Sequence, residues 1–282
     1  MALPLTNQPP PTSFLKLAYP APRVLQITMS REKDLNCTNA AAILEMTAVY
    51  RWFDAEPSLT VAILTGAGKR SFSTGADLKE WNAKVAEARA QGRDPAGAGP
   101  GNVAGAEAMS NRRGKKPVVA AVNGMALGGG CENVINCDIV LASETATFGL
   151  VEVKRGLAPY SGALPRLIRT VGLQRANEFA LTGKIISAQT AFEWGLVNKV
   201  VPPDRLLEEA VAWAKEIADI SPDSIICTRA MLREGWTTAD VVEATNISNG
   251  REWKELQKGE NMQEGLRAFN EKRKPRWGGP RL

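Results

Sequence analysis

The chain has 282 residues, 44% hydrophobic and 23% charged, with 35 Lys+Arg against 30 Asp+Glu for a net charge of +5. This is an ordinary globular composition, long enough for one large domain with a smaller appendage; its mild basicity suits an anionic ligand such as a phosphorylated cofactor, and allows weak nucleic-acid binding without establishing either. The sequence holds no histidine, which removes Ser-His and Cys-His nucleophiles and His-ligated metals, so acid–base chemistry falls chiefly to carboxylates.

In chain order, Met1 to Thr12 is a polar, proline-rich leader, expected to be poorly ordered, with neither the basic start of a secretory signal nor the arginines of a transit peptide. Val24 to Met29 predicts a strand. Ala40 to Phe53 carries apolar residues at helical spacing, with Asn39 placed to cap it. Val61 to Leu64 predicts a buried strand, Gly66-Ala67-Gly68 a turn and Lys69 to Gly75 a loop; a helix is expected from Ala76 through Trp81. Gln91 to Gly105 is rich in Gly, Pro and Ala and reads as a loop able to cover a pocket, followed by a short helix over Ala106 to Arg113.

Val118 to Val122 is a valine-rich strand, Asn123-Gly124 a turn, and Gly128-Gly129-Gly130 leads into the helical Cys131 to Ile135. Ile139 to Ala142 predicts a further strand. Helices are expected around Ala163 to Val171, Gln174 to Leu181 and Ala188 to Glu193, then a strand over Val197 to Val201. Pro202-Pro203 is the best boundary, dividing 1–202 from a helical region, 203–282, that ends in the basic tail Lys272 to Leu282. Strands alternating with helices imply an α/β core with a partly parallel sheet and a helical C-terminal part. No apolar run reaches membrane-spanning length. Cys37, Cys131, Cys137 and Cys227 are scattered without a CxxC pair, so neither a zinc knot nor a disulfide frame is expected.

Two stretches share one design. Val61 to Glu80 and Val118 to Glu132 each run strand, glycine turn, helix start. A glycine cluster alone marks a tight turn. Two such units can each present an unpaired backbone N–H, and one carbonyl oxygen held by both is an oxyanion hole. The N–H groups of Ala76 and Gly129 are the candidates, with Glu132 beside them. Other motifs fail. Gly66-Ala67-Gly68-Lys69 lacks the leading glycine and the Ser/Thr of a phosphate loop, Gly124 to Gly130 does not fit G-x-G-x-x-G, and G-x-S-x-G is absent.

Three blocks and the tail resemble the enoyl-CoA hydratase/isomerase, or crotonase, superfamily. They are Ser71 to Glu80 (S-F-S-T-G-A-D-L-K-E), Lys116 to Asp138 (K-P-V-V-A-A-V-N-G-M-A-L-G-G-G-C-E-N-V-I-N-C-D), Phe148 to Val153 with Gly156 to Gly162, and Glu264 to Pro275. The resemblance spans roughly Leu17 to Trp277. It implies a spiral of ββα units with a helical trimerisation region, homotrimers or dimers of trimers, and an acyl-CoA thioester substrate. It implies no metal and no separate cofactor, coenzyme A being part of the substrate. The family's oxyanion donors fall on Ala76 and Gly129, and the two acids of its hydratases on Glu132 and Glu152. Ser73, Gly75, Asp77, Leu78 and Gly128 lie in its substrate-binding blocks. Arg70 and Lys79 flank the first block as candidates for CoA phosphates or as solvated charge, and Lys272 to Lys274 are open to the same two readings.

One departure from the family pattern is Tyr160, where many hydratases carry glycine. It narrows the acyl pocket, bonds a substituted acyl group, or packs. With both family acids present, the resemblance implies hydration of a trans-2-enoyl-CoA as the expected reaction. The alternatives are a double-bond isomerase, a dehydratase of an unusual acyl-CoA, or a non-catalytic acyl-CoA- or RNA-binding relative, the last without an aromatic-basic motif to support it. The final Pro280-Arg281-Leu282 loosely resembles a peroxisomal S-K-L signal, so cytoplasm and peroxisome both stand as expected compartments.

Overall fold

A computed structural model describes residues 5–99 and 109–282. Its centre is the set of apolar runs read as strands. Strands β1 (Leu15–Ala21), β2 (Val24–Met29), β3 (Val61–Gly66), β5 (Val118–Val122), β7 (Ile139–Ser143) and β10 (Lys199–Val201) form one sheet, in the order β1-β2-β3-β5-β7-β10. All neighbours are parallel except β1 and β2. Parallel strands covered on both faces carry continuous apolar runs, which is why β3 and β5 are buried at every residue.

The two faces follow the period of two. Ala62, Leu64, Val118, Ala120 and Val122 face the larger core with Met46, Val49 and Phe53 of helix α1 (Ala40–Ala55). Ile63, Val119, Ala121 and Leu141 face the opposite core, against Leu206, Ala210, Ala214 and Ala218. Those four small or apolar side chains recur at helical spacing and let their helix, Leu206–Ala218, lie close on the sheet. Asn39 caps α1 as expected, its side chain accepting the Ala42 N–H at 2.9 Å.

A second sheet is built from strands of three residues each: β4 (Ser71–Ser73), β6 (Met125–Leu127), β8 (Thr147–Gly149) and β9 (Ile185–Ser187), in that order. Each of β3, β5 and β7 thus turns into a short strand of the second sheet. That makes three successive units stand side by side, with β4 parallel to β6 and β6 parallel to β8. Asn123 fastens the first two turns together: its Oδ1 accepts the Gly66 N–H at 3.1 Å, and its Nδ2 donates to the carbonyls of Gly68 at 2.8 Å and Ser71 at 3.1 Å.

Several local expectations are corrected. Ser71 to Ser73, read as loop, is β4. The helix expected from Ala76 begins at Leu78, because the Asp77 carboxylate accepts the N–H groups of Lys79 and Glu80 and so takes the cap position; this is α2 (Leu78–Ala90). Strand β1 went unread. It is an edge strand with mostly exposed side chains, and the Glu45 carboxylate of α1 holds its start by accepting the N–H groups of Phe14 and Leu15. Of the short helix expected over 106–113, residues 106–108 lie outside the described part; Met109–Asn111 form a single 3-10 turn, and Arg112 and Arg113 are not helical. Residues 100–105 of the expected covering loop also lie outside it. The remaining helices of six residues or more are α3 (Gly129–Asn136), α4 (Ala163–Val171), α5 (Leu173–Thr182), α6 (Ala188–Glu193), α7 (the helix already placed on the sheet), α8 (Pro222–Thr237), α9 (Val241–Ser248) and a last helix, Glu260–Asn270. No described helix is long and apolar enough to cross a membrane.

Candidate active site

The site forms where the three units end. The register Leu127↔Gly149 and the Gly128 N–H bond to the Gly149 carbonyl, 2.8 Å, set the start of α3 beside the segment after β8. That segment is a 3-10 turn, Glu152–Arg155. From the other side, the bridge between Thr38 and Ala76 draws the end of the first unit in; Thr38 N donates to Gly75 O and Asp77 N to Thr38 O. Ala76 N, between those two bonds, donates to no described residue. Neither does Gly129 N, the first residue of α3.

Glycine makes this approach possible. Gly75 has φ +82°, and a Cβ there would lie 2.6 Å from Gly129 N. Gly129 packs 3.5 Å from Gly75 Cα and 3.8 Å from Ala76 N, measured from its own absent Cβ. Two free N–H groups from residues far apart in sequence therefore lie on touching backbones.

Ala76, Gly128, Gly129, Glu132 and Glu152 all line one cavity of about 140 Å³. Glu132 is 3% exposed. Its Oε1 accepts the Ser161 N–H at 2.9 Å. Burial raises its pKa, opposed by the amides of Ser161 and Ala163, the Ser161 hydroxyl and the Arg166 charge. Glu152 is held differently. Its Oε2 is buried with no hydrogen-bond partner. Burial pushes its pKa up to about 7; its own backbone amide opposes this and the Glu132 charge adds to it. The pair is thus held unequally: donors and the Arg166 charge offset the burial of Glu132, while Glu152, with no donor on Oε2, is suited to hold a proton near neutrality.

The other expected residues divide. Leu78 and Tyr160 line the cavity, and Tyr160 meets Trp81 edge-on, ring centroids 6.4 Å apart. Asp77 and Lys79 line a wider cleft of about 650 Å³ that shares Ala76, Leu78 and Arg155 with the first. Lys33, Lys154 and Arg155 add positive charge there, which sequence reasoning missed. Arg70 lines neither; its guanidinium donates to the Glu32 carbonyl at 3.2 Å. Ser73 is fully buried and braces the backbone, donating to Asn36 O at 2.8 Å and accepting from Gly75 N. Arg273 of the tail pairs with Glu264 at 2.6 Å and with Glu271 at 2.5 Å. Also missed were Ser110, Asn111, Asn133 and Ser161. The one available signal was a polar Asn133 amid the apolar stretch that follows Glu132.

The sequence model of the enoyl-CoA hydratase/isomerase family matches residues 21–280. The chain is 47% identical over 277 residues to a mevalonyl-coenzyme A hydratase of Beauveria bassiana, covering 96% of this chain and 97% of that one. It is also 47% identical, with the same coverage, to a mevalonyl-coenzyme A hydratase of Aspergillus fumigatus. Among solved structures, the enoyl-CoA hydratase of Bacillus anthracis superposes with a TM-score of 0.81 at 33% identity, over 95% of this chain and all of the other. A chain whose three ββα units bring two free amides and two carboxylates to one cavity, and which matches these proteins over at least 95% of its length, belongs to the enoyl-CoA hydratase/isomerase family.

Proposed function

We propose that this enoyl-CoA hydratase acts on mevalonyl-coenzyme A, interconverting it with the 2-enoyl thioester formed by loss of its C3 hydroxyl and a C2 proton. The chemistry is carried by one observation: two unpaired amides and two differently held glutamates share a single cavity. The choice of substrate is supported by the 47% identity to two mevalonyl-coenzyme A hydratases.

In the hydration direction the thioester oxygen accepts the N–H groups of Ala76 and Gly129. Negative charge grows on that oxygen as water attacks C3, and the two donors stabilise it there. Glu132, ionised, takes the proton of the attacking water. Glu152, protonated, gives its proton to C2. The glutamates have then exchanged protonation states, and transfer of the proton from Glu132 back to Glu152 resets the site. Dehydration is the same path reversed. The CoA portion runs along the wider cleft, where Lys33, Lys79, Lys154 and Arg155 face its phosphates.

The working assembly is a homotrimer or a dimer of trimers. The helices beyond Pro203 support this, since they expose Leu232, Val241, Val242 and Phe269, the last at 83%.

The test is direct. Purified protein is incubated with mevalonyl-CoA, crotonyl-CoA and a 3-enoyl-CoA, and loss or gain of one water is followed by mass spectrometry beside the ultraviolet absorbance of the conjugated thioester. Conversion of mevalonyl-CoA is expected to have the highest kcat/KM. Glu132→Gln and Glu152→Gln are each expected to lower kcat by roughly 100-fold or more. Unchanged turnover in both variants would falsify the catalytic assignment, and hydration of crotonyl-CoA with no dehydration of mevalonyl-CoA would refute the substrate.

A further inference from the structure

One polar group in the acyl cavity has no use in the chemistry above. Asn133 is 5% exposed, follows Glu132 on α3 and lines the same cavity. Its Oδ1 accepts the Ser110 N–H at 3.0 Å. A backbone N–H can only donate, so this bond fixes which end of the amide is which. The Nδ2 end therefore points away from Ser110, and it donates to no described residue. Nor is it sealed among apolar atoms, since it is not one of the buried partnerless atoms of the described structure.

Ser110 extends the same polar surface. It is 4% exposed and lines the cavity, and its hydroxyl bonds no described residue. Its backbone is held on both sides, the N–H by Asn133 and the carbonyl by the Arg166 guanidinium at 2.9 Å. Arg166 also donates to the Gly162 carbonyl at 2.8 Å, next to the amides that receive Glu132. The polar wall and the catalytic carboxylate are thus fixed by one side chain. Ile43, Met46 and Trp81 give the same cavity apolar surface. An aliphatic acyl chain would leave the Asn133 amide unpaired in a desolvated site, and such a group discriminates against ligands that cannot bond it.

We propose that Asn133 Nδ2 and Ser110 Oγ are the specificity determinants of the acyl site and bind a hydroxyl carried by the acyl group beyond C3. This rests on the substrate reading above and deepens it: mevalonyl-CoA carries such a hydroxyl at the end of its chain, two carbons past C3. Asn133 lines the same cavity as Ala76, Gly129, Glu132 and Glu152, so an acyl group held there shares its space with this amide.

The experiment compares two 2-enoyl thioesters of one skeleton, 5-hydroxy-3-methylpent-2-enoyl-CoA and 3-methylpent-2-enoyl-CoA. The readout is the ratio of their kcat/KM values in the unmodified protein, in Asn133→Leu and in Ser110→Ala. The unmodified protein is expected to favour the hydroxylated thioester. Asn133→Leu is expected to move the ratio toward the hydrocarbon by roughly 100-fold, and Ser110→Ala by roughly 10-fold. Ser110→Ala leaves the backbone bonds in place, so it carries the test if the leucine variant does not fold. A ratio that stays constant across all three proteins overturns the inference. That result is distinct from failure of the substrate reading, which is an unmodified protein that hydrates crotonyl-CoA but turns over neither mevalonyl-CoA nor its dehydrated form; the same ratio is then read on 5-hydroxypent-2-enoyl-CoA against pent-2-enoyl-CoA, where a shift in the variants keeps the hydroxyl contact and a constant ratio overturns it.

Discussion

Glu132 and Glu152 are the same residue type within one cavity, and their surroundings differ. Glu132 accepts hydrogen bonds and feels Arg166; Glu152 leaves a buried oxygen without a donor. With the Glu152 pKa pushed up to about 7, kcat/KM for hydration is expected to fall as pH rises through that value, because the proton for C2 is lost. An acid limb is expected where Glu132 becomes protonated, and both limbs are properties of the pair. Stability carries a linked signature. Folding raises the Glu152 pKa from 4.5, so the folded state binds the extra proton between that value and about 7. The contribution is fully present at low pH and lost as pH climbs through this window. Unfolding curves at pH 5 and pH 8 are expected to show the unmodified protein losing more stability over that interval than Glu152→Gln; parallel losses would contradict the assignment. The identity of both glutamates was legible in the sequence. Their unequal roles were not, because partners such as Ser161 and Arg166 come from α4 and the turn before it.

At the scale of elements, the oxyanion hole depends on how closely two backbones pass. Gly75→Ala would place a methyl 2.6 Å from Gly129 N at a φ of +82°. The N–H groups must then separate, and kcat is expected to drop by about 100-fold or more, as when one oxyanion donor is removed. CoA binding, measured by calorimetry with free CoA, is expected to persist, since the wider cleft is lined by other residues. Asn39→Ala is the contrasting case. The Asn39 side chain lines neither cavity and only caps α1, so chemical denaturation is expected to show a loss of about 1 kcal/mol with kcat lowered far less than in Gly75→Ala. Elements with strong local signals, the valine strands and the capped α1, matched their expected places. The short strands of the second sheet were unreadable for a physical reason: three residues do not display a period, and their pairing is set by neighbours distant in sequence. Asp77 moved the start of α2 by two residues from the expected Ala76 because a carboxylate that accepts two amides is a better cap than a continuing turn.

At the scale of the whole molecule, both faces of the main sheet are covered, one by α1 and its neighbours and the other by α7. The helices that follow leave apolar side chains outward, with Val241 at 78% exposure. If these faces join copies of the chain, Val241→Asp is expected to lower the mass seen by sedimentation velocity while the far-ultraviolet circular dichroism stays native. An unchanged mass would assign assembly to another surface. The C-terminal end is also held: the N–H groups of Arg281 and Leu282 donate to the buried Asp223 carboxylate at 2.7 and 3.2 Å.

The sequence by itself determined the alternation of strands and helices, the family blocks, and the four positions, Ala76, Gly129, Glu132 and Glu152, that share one cavity. Those features are local: strand runs, glycine turns and the lack of histidine are properties of neighbouring residues and of composition. Only the tertiary structure decided which side chains share a wall. Asn133 and Ser110 meet because α3 packs on a turn 23 residues upstream. Arg70, which the sequence placed beside the site, is drawn off to the Glu32 carbonyl, while Lys154 and Arg155 come into the cleft from the turn after β8. Burial, and the partners that do or do not come with it, exists only once distant segments close on one another; that is why charge state and the make-up of the cavity wall are written in the packing and not in the order of residues.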